Sequence, residues 1–130
     1  MIETIPTNTS LLAASIFGGL AVILGAFGAH AFKKIMTDEQ LKSYETGVKY
    51  QFYHALLLLF LGLFPQIELL RYASYCIMLG TCLFSFSIYG LCWSGAKNKK
   101  LRFLGPITPV GGLFLVTGWT LIAVYFLSHY

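Results

Sequence analysis

Long apolar blocks separated by short charged connections run through this chain of 130 residues. Crossing the hydrocarbon core of a bilayer takes about 20 predominantly apolar residues in a helix, so the blocks predict four membrane spans. We place the spans at about 10–32, 50–70, 72–93 and 107–127. The expected fold is an all-α membrane protein: an antiparallel four-transmembrane-helix bundle forming a single domain, 1–130.

The ends of the first two spans carry recognisable signals. Thr7, Asn8 and Thr9 precede the first span and are candidate N-caps. The strongly apolar part of the second span is short, and Pro65 with Glu68 indicates a kink or an early exit from the membrane.

The connection between spans 1 and 2 has its own helical pattern. Thr37 and Gln40 have the spacing of a capping box, and Leu41, Tyr44 and Val48 recur at helical intervals. These features predict a short amphipathic helix at the membrane interface that leads into the second span.

Composition supports a lipid environment. The chain is 57% hydrophobic and only 11% charged, whereas soluble domains average about 25% charged residues. The net charge of +4 could suggest nucleic acid, but the cations lie beside the apolar spans. We therefore predict contact with lipid headgroups and no nucleic-acid partner.

The distribution of the nine Lys and Arg residues predicts the orientation of the chain, because cytoplasmic loops are enriched in cations. Eight of them flank the first and third connections, and only Arg71 lies on the other side. The eight are Lys33, Lys34, Lys42, Lys49, Lys97, Lys99, Lys100 and Arg102. We expect a multi-pass membrane protein with both basic connections in the cytoplasm and both termini outside it.

Neither the N-terminus nor the cysteines change this interpretation. The first ten residues contain no Lys or Arg and the apolar run that follows is long, so we expect the first span to be retained and not cleaved as a signal peptide. Cys76, Cys82 and Cys92 have neither zinc-ligand spacing nor a secreted disulfide pattern. We interpret them as core or lipid-facing residues.

Polar residues of all four spans are expected to collect in the cytoplasmic half of the bundle. The predicted cluster comprises His30, Tyr50, Gln51, His54, Ser85, Ser87, Tyr89 and Thr108. Polar side chains at this depth should face the interior and pair with one another, and the two histidines are expected on adjacent helices at comparable depth. They could serve a structural hydrogen-bond network, a proton relay, a metal or haem site, or a quinone-headgroup contact.

Small residues predict where the helices approach each other closely, because glycine and alanine let backbones come together in lipid. Ala21, Gly25 and Ala29 form a ridge at spacing four on the first span, and Gly111 and Gly118 lie one heptad apart on the fourth. Gly28 and Gly112 complete the predicted packing set.

No catalytic residue, metal site or cofactor is predicted, since no nucleophile and base have catalytic spacing and two histidines alone are a weak metal signal. The leading hypothesis is a non-enzymatic scaffold or accessory subunit that packs against a membrane partner or against itself. The alternative is a small-molecule, lipid or quinone, or proton-handling site in the cytoplasmic half.

Four strings together resemble a known family. GAFGAHAF, YETGVKYQFYHALLLLFLG, LGTCLFSFSIYGL and GPITPVGGLFLVTGW are similar, in that order, to the signatures of the YgdD/transmembrane-protein-256 family. The similarity extends from about residue 12 to residue 125. It implies a small four-helix integral membrane protein of the bacterial cytoplasmic membrane with no established enzymatic activity.

By position, the resemblance implies a set of motif residues and one departure from the family pattern. The implied residues are Gly25, Gly28, His30, Tyr50, Gln51, His54, Ser85, Tyr89, Gly105, Pro106, Thr108, Pro109, Gly111, Gly112, Gly118 and Trp119. The family usually has glycine between the two serines of the third span, where this chain has Phe86. A close helix contact at that glycine would have to be made differently here.

Overall fold

The computed structural model describes residues 8–65 and 67–130, and every regular element within them is helical. The α-helices are α1 (Thr9–Ala29), α2 (Asp38–Gly62), α3 (Glu68–Thr81), α4 (Ser87–Ala96) and α5 (Ile107–His129). A π-helical turn, Cys82–Phe86, joins α3 to α4, so Glu68–Ala96 runs as one long helix. Short 3₁₀ turns, Phe32–Lys34 and Arg102–Leu104, lie after α1 and before α5. The expectation of an all-helical fold is confirmed.

Asn8 links the start of α1 to the end of α2. Its side-chain oxygen accepts a hydrogen bond from the Leu11 amide at 3.2 Å, which caps α1. Its side-chain amide donates to the Gly62 carbonyl at 2.8 Å, at the end of α2. Thr7, also considered as a cap, lies outside the described residues.

The capping box at the start of α2 is present as expected. Thr37 accepts from the Gln40 amide, and the Gln40 side chain accepts from the Thr37 amide. The helix then continues without a break to Gly62, so the expected interfacial helix and second span are parts of one element. Tyr44 and Gly47 in its first half are buried against the bundle.

The boundary between the second and third spans differs from the prediction. The α-helix ends at Gly62 and the next begins at Glu68, so residues 68–70 belong to the third helix and not to the second. The physical reason is local: Pro65 has no amide proton and cannot continue α2, while Asn8 satisfies the Gly62 carbonyl.

The helices pack as two antiparallel pairs. α1 packs chiefly on α2, α5 packs chiefly on α3, and the pairs meet where α2 contacts α3 and α4. Facing positions define the register of α1 on α2. These are Leu11 with Gly62, Gly18 with Ala55, Gly25 with Val48, and Gly28 with Tyr44.

Three apolar clusters fill the interior from one end of the bundle to the other. The middle cluster is Ala14, Phe17, Ala55, Leu58, Ile77 and Leu115. The clusters towards the two ends are Leu61, Leu70, Ala73, Ile122 and Tyr125, and Met36, Tyr44 and Cys92. Small side chains such as Ala14 and Ala73 accompany large ones in these layers, which lets the helices come close together.

The outer surface of the helices is also apolar. Large side chains such as Val22, Leu113 and Val116 are more than half exposed. Three described helical segments are long and apolar enough to cross a membrane: Thr9–Lys34, Glu68–Ala96 and Arg102–His129. α2 is less apolar because its first half carries charged residues.

Candidate functional site

A buried amide links three helices in the middle of the polar region. The Gln51 side chain is fully buried; its nitrogen donates to the Phe17 carbonyl of α1 at 2.8 Å, and its oxygen accepts from the Tyr89 hydroxyl of α4 at 2.7 Å. Ser85 donates to the Gly47 carbonyl at 2.8 Å. The network therefore joins α1, α2, the π-helical turn and α4.

Gly47 makes this network possible. A Cβ built at Gly47 would lie 2.8 Å from Cε1 of Tyr89, so any larger residue would displace the ring. The absent side chain lets Tyr89 lie across α2 and reach Gln51.

His54 is buried, and both of its ring nitrogens are engaged. Nδ1 lies 2.7 Å from the Tyr50 carbonyl, and Nε2 accepts from the Trp119 indole N–H at 3.2 Å. A carbonyl only accepts and an indole N–H only donates, so the neutral ring protonated on Nδ1 satisfies both partners. No ring lone pair is left for a metal ion or an incoming proton, which favours the structural role among those considered.

Ser87 and Thr108 join α4 to α5. Their hydroxyl oxygens are 2.6 Å apart, and Ser87 also lies 2.9 Å from the Phe84 carbonyl. Thr108 sits in the first turn of α5, where it lines an open cleft that is described below.

The expectation for His30 is wrong. His30 is the exposed C-cap residue of α1, and its ring makes no hydrogen bond with the described part of the chain. The register of α1 on α2 places it level with residue 43, so it lies 11 residues from the level of His54, or about 16 Å at 1.5 Å per residue. The prediction places the end of α1 level with Tyr50, the expected start of the second span. In the structure α2 starts at Asp38 and pairs with α1 from Tyr44 to Gly62, so the end of α1 lies level with residue 43.

Tyr50 contributes to the cluster through its backbone carbonyl and through its ring, which stacks on the His54 ring with centroids 6.1 Å apart. Its carbonyl accepts from His54, while its ring is 42% exposed and lies against Phe84 with ring centroids 5.0 Å apart. Between helices, Gln51 bonds to Tyr89, Ser85 to Gly47, Ser87 to Thr108 and His54 to Trp119, whereas His30 takes part in none of these bonds.

Trp119, which is half-exposed, is the partner of His54 that the polar pattern does not include. It was implied as a motif residue by resemblance, but nothing in the spacing of the sequence connects it to His54, 65 positions earlier. Only the packing of α5 against the long helix Glu68–Ala96 brings the indole to the imidazole.

The small residues differ sharply in what surrounds them. A Cβ at Gly28 would meet the Tyr44 ring at 2.6 Å, and one at Gly118 would meet Ile77 at 2.6 Å. At Gly111 it would overlap the backbone nitrogen of Phe84.

The remaining members of the predicted ridge are not in tight contact. A Cβ at Gly25 or Gly112 would meet only ordinary contacts, at 3.5 and 4.0 Å. Ala21 is buried and Ala29 is exposed, so the buried face of α1 follows Ala14, Ala21 and Gly28 rather than Ala21, Gly25 and Ala29.

Phe86, where the resembled family has glycine, lies at the edge of the interior. It is 38% exposed and its ring packs edge-on against Phe17 and Tyr89. The close approach at this level is made instead by Gly111 against the π-helical turn.

An open cleft of about 780 Å³ lies at the end of the bundle where α2 begins and α4 ends. One wall is the first part of α2, including Glu39, Ser43 and Thr46; the floor is α4; the other wall is Lys100 with the start of α5. Glu39 and Lys100 are not part of the polar cluster expected from the sequence, because single charges near a helix end carry no spacing signal.

Comparison with known proteins identifies the family. A family model described as "Protein of unknown function (DUF423)" matches residues 24–112. A UPF0382 membrane protein of Schizosaccharomyces pombe is 39% identical over 112 residues, which cover 85% of this chain and 95% of the relative. The chain belongs to the DUF423/UPF0382 family of membrane proteins.

Bacterial relatives of this UPF0382 chain extend the match. The UPF0382 inner membrane protein YgdD of Escherichia coli is 38% identical over 117 residues, 88% of this chain and 86% of its own length. A UPF0382 membrane protein of Staphylococcus haemolyticus is 33% identical over 115 residues, 84% and 90% of the two chains. No solved structure matches. The resemblance to the YgdD family is confirmed, and the chain is a membrane protein of a family with unknown function.

Proposed function

We propose that this UPF0382 protein is a non-enzymatic scaffold or accessory subunit that associates in the membrane through the outer face of its first helical hairpin. The observation that carries the proposal is a groove of about 210 Å³ between α1 and α2, with Ser15 and Gly18 among its lining residues. Beside it, Gly19 is exposed, and a Cβ there would meet nothing within 4 Å. Small residues at the surface leave room for another helix to approach closely.

A second copy of the chain is the occupant that this face fits. Exposed large side chains, Ile16 on α1 and Leu56 on α2, lie near the small residues of the groove. One chain thus carries both the protruding side chains and the groove that could receive them from a second copy. A two-fold symmetric interface needs such a self-complementary surface. The Ser15 hydroxyl already donates to the Leu11 carbonyl. An apolar residue packed against Ser15 would therefore leave no hydrogen-bond donor unsatisfied.

The closed polar interior supports a non-enzymatic role. Gln51, His54 and Tyr89 are each held by protein partners, as described above. Among the described residues, every buried side-chain nitrogen and oxygen has a hydrogen-bond partner. A proton-handling or quinone site around His30 and His54 has less support, since the two residues lie at different levels and His54 is fully engaged.

We also propose that the chain crosses a bacterial cytoplasmic membrane four times, with both termini outside the cytoplasm. α2 pairs with α1 from Gly62 to Tyr44, so a membrane crossed by α1 would also be crossed by α2. Eight of the nine Lys and Arg residues lie in or beside the two connections at one end, and Arg71 lies near the other.

Association is tested by replacing the open glycine. Gly19→Leu should convert a dimer to a monomer, measured by the mass of the protein in mild detergent and by single-molecule photobleaching in lipid vesicles. The thermal unfolding midpoint of the monomer should not fall, because the new side chain meets open space. Ala123→Leu is the matched control, since it also enlarges a small exposed residue but on α5.

Two outcomes would refute the proposal. One is a wild-type protein that is monomeric in both detergent and vesicles with no co-purifying partner. The other is an equal loss of association in Gly19→Leu and Ala123→Leu, which would mean that α1 has no special part in the contact.

A further inference from the structure

The open cleft at the charged end of the bundle offers chemistry that the interior and the α1/α2 groove do not. Its walls belong to α2 and to the connection before α5, and its floor is formed by α4 residues such as Ile88 and Leu91. Hydroxyls and charges therefore stand above an apolar floor, as in sites that bind amphiphilic molecules.

The cleft carries one charge of each sign. Glu39 lies in the first turn of α2 and Lys100 lies in the connection between α4 and α5, and both line the cavity. Neither makes an ion pair with the residues that the structure describes. Ser43 and Thr46, on the same wall as Glu39, add hydroxyl groups that can donate or accept.

Aromatic rings continue from the cleft towards the middle of the bundle. α2 and α5 contact each other only sparsely. Next to the cleft the exposed ring of Tyr50 lies against Phe84, and further along the half-exposed Trp119 donates to His54. A ligand with a polar head in the cleft would therefore have an apolar path for its tail between these helices.

We propose that the cleft binds the headgroup of an amine-bearing zwitterionic phospholipid of the phosphatidylethanolamine class. Lys100 would pair with the phosphate, Glu39 would accept from the primary ammonium, and the acyl chains would follow the gap between α2 and α5. An anionic headgroup would be repelled by Glu39, and a neutral one would leave both charges unpaired. A quaternary ammonium has no N–H to donate to Glu39, so a choline headgroup fits less well.

The test measures lipid retained by the full chain in native mass spectrometry, after equilibration in micelles with equal amounts of phosphatidylethanolamine, phosphatidylglycerol and phosphatidylcholine of matched chains. The wild type should retain the ethanolamine lipid over the other two by about two- to fivefold, the size expected of partly exposed ion pairs. Glu39→Gln should abolish the preference, and Lys100→Gln should reduce retention of all three.

Matched controls separate the cleft from general surface charge. Glu45→Gln and Lys99→Gln remove the same charges from exposed residues that do not line the cavity, and both should retain lipid like the wild type. Far-ultraviolet circular dichroism spectra of all four variants should match that of the wild type, since none of the four residues forms an ion pair within the described chain.

Three results would overturn the proposal. The first is equal retention of the three lipids by the wild type, and the second is an equal effect of the control variants. The third is complete displacement of the lipid by an equal concentration of soluble glycerophosphoethanolamine, which would identify a free phosphoamine rather than a lipid as the ligand.

Discussion

Gly111 and Gly112 are adjacent glycines with opposite surroundings, and they give the sharpest test of how the bundle is packed. A Cβ at Gly111 would overlap the amide nitrogen of Phe84 and lie 2.8 Å from the carbonyl carbon of Leu83. A Cβ at Gly112 would meet only Cδ2 of Phe84, at 4.0 Å. The atoms facing Gly111 are backbone atoms of the π-helical turn, so no side-chain rotation can relieve the overlap.

The expected magnitude follows from two effects. Replacing glycine by alanine inside a helix stabilises by about 1 kcal/mol, and this gain is common to both variants. Overpacking a tight site costs about 1–3 kcal/mol, and only Gly111→Ala incurs this cost. We therefore expect Gly111→Ala to be less stable than Gly112→Ala by about 1–3 kcal/mol.

The assay is reversible unfolding of the purified protein in mixed micelles, followed by far-ultraviolet circular dichroism. Gly112→Ala should unfold at or above the wild-type midpoint, and Gly111→Ala clearly below it. Equal midpoints, or a greater loss in Gly112→Ala, would show that α5 does not approach the π-helical turn as described.

Three further predictions concern the polar interior and the topology. Gln51→Leu should destabilise by about 1–3 kcal/mol because the Phe17 carbonyl and Tyr89 hydroxyl lose their partner, and an unchanged melting midpoint would contradict the network. His54→Ala and Trp119→Phe should show a coupling of about 0.6–1.7 kcal/mol in a double-mutant cycle, with strict additivity as the contrary result. A C-terminal reporter that is active only in the cytoplasm should stay silent, and activity would reverse the proposed orientation.

The sequence alone was sufficient for the features that depend on neighbouring residues. The long apolar runs predict helices in lipid, because every backbone amide and carbonyl must then be satisfied within its own segment. Thr37 and Gln40 predict where α2 begins, and the structure has that capping box. The family resemblance likewise rests on short strings read in order, and the comparisons confirm it.

The extent of α2 shows where local reasoning fails. The residues between 38 and 49 predict a short amphipathic helix that leads into the second span, whereas the structure has one unbroken helix from Asp38 to Gly62. Buried contacts of Tyr44 and Gly47 with the other helices hold its first half in the bundle.

The tertiary structure decided which polar and small residues meet. His54 pairs with Trp119 on a helix far along the chain, while His30, in an equally suggestive context, is exposed at the end of α1. Gly111 touches backbone and Gly112 does not. Both distinctions depend on the register and rotation of one helix against another. The register and rotation are set by the packing of all the helices together. A shift of one helical turn would exchange every contact along an interface, although the sequence pattern within each helix would stay the same.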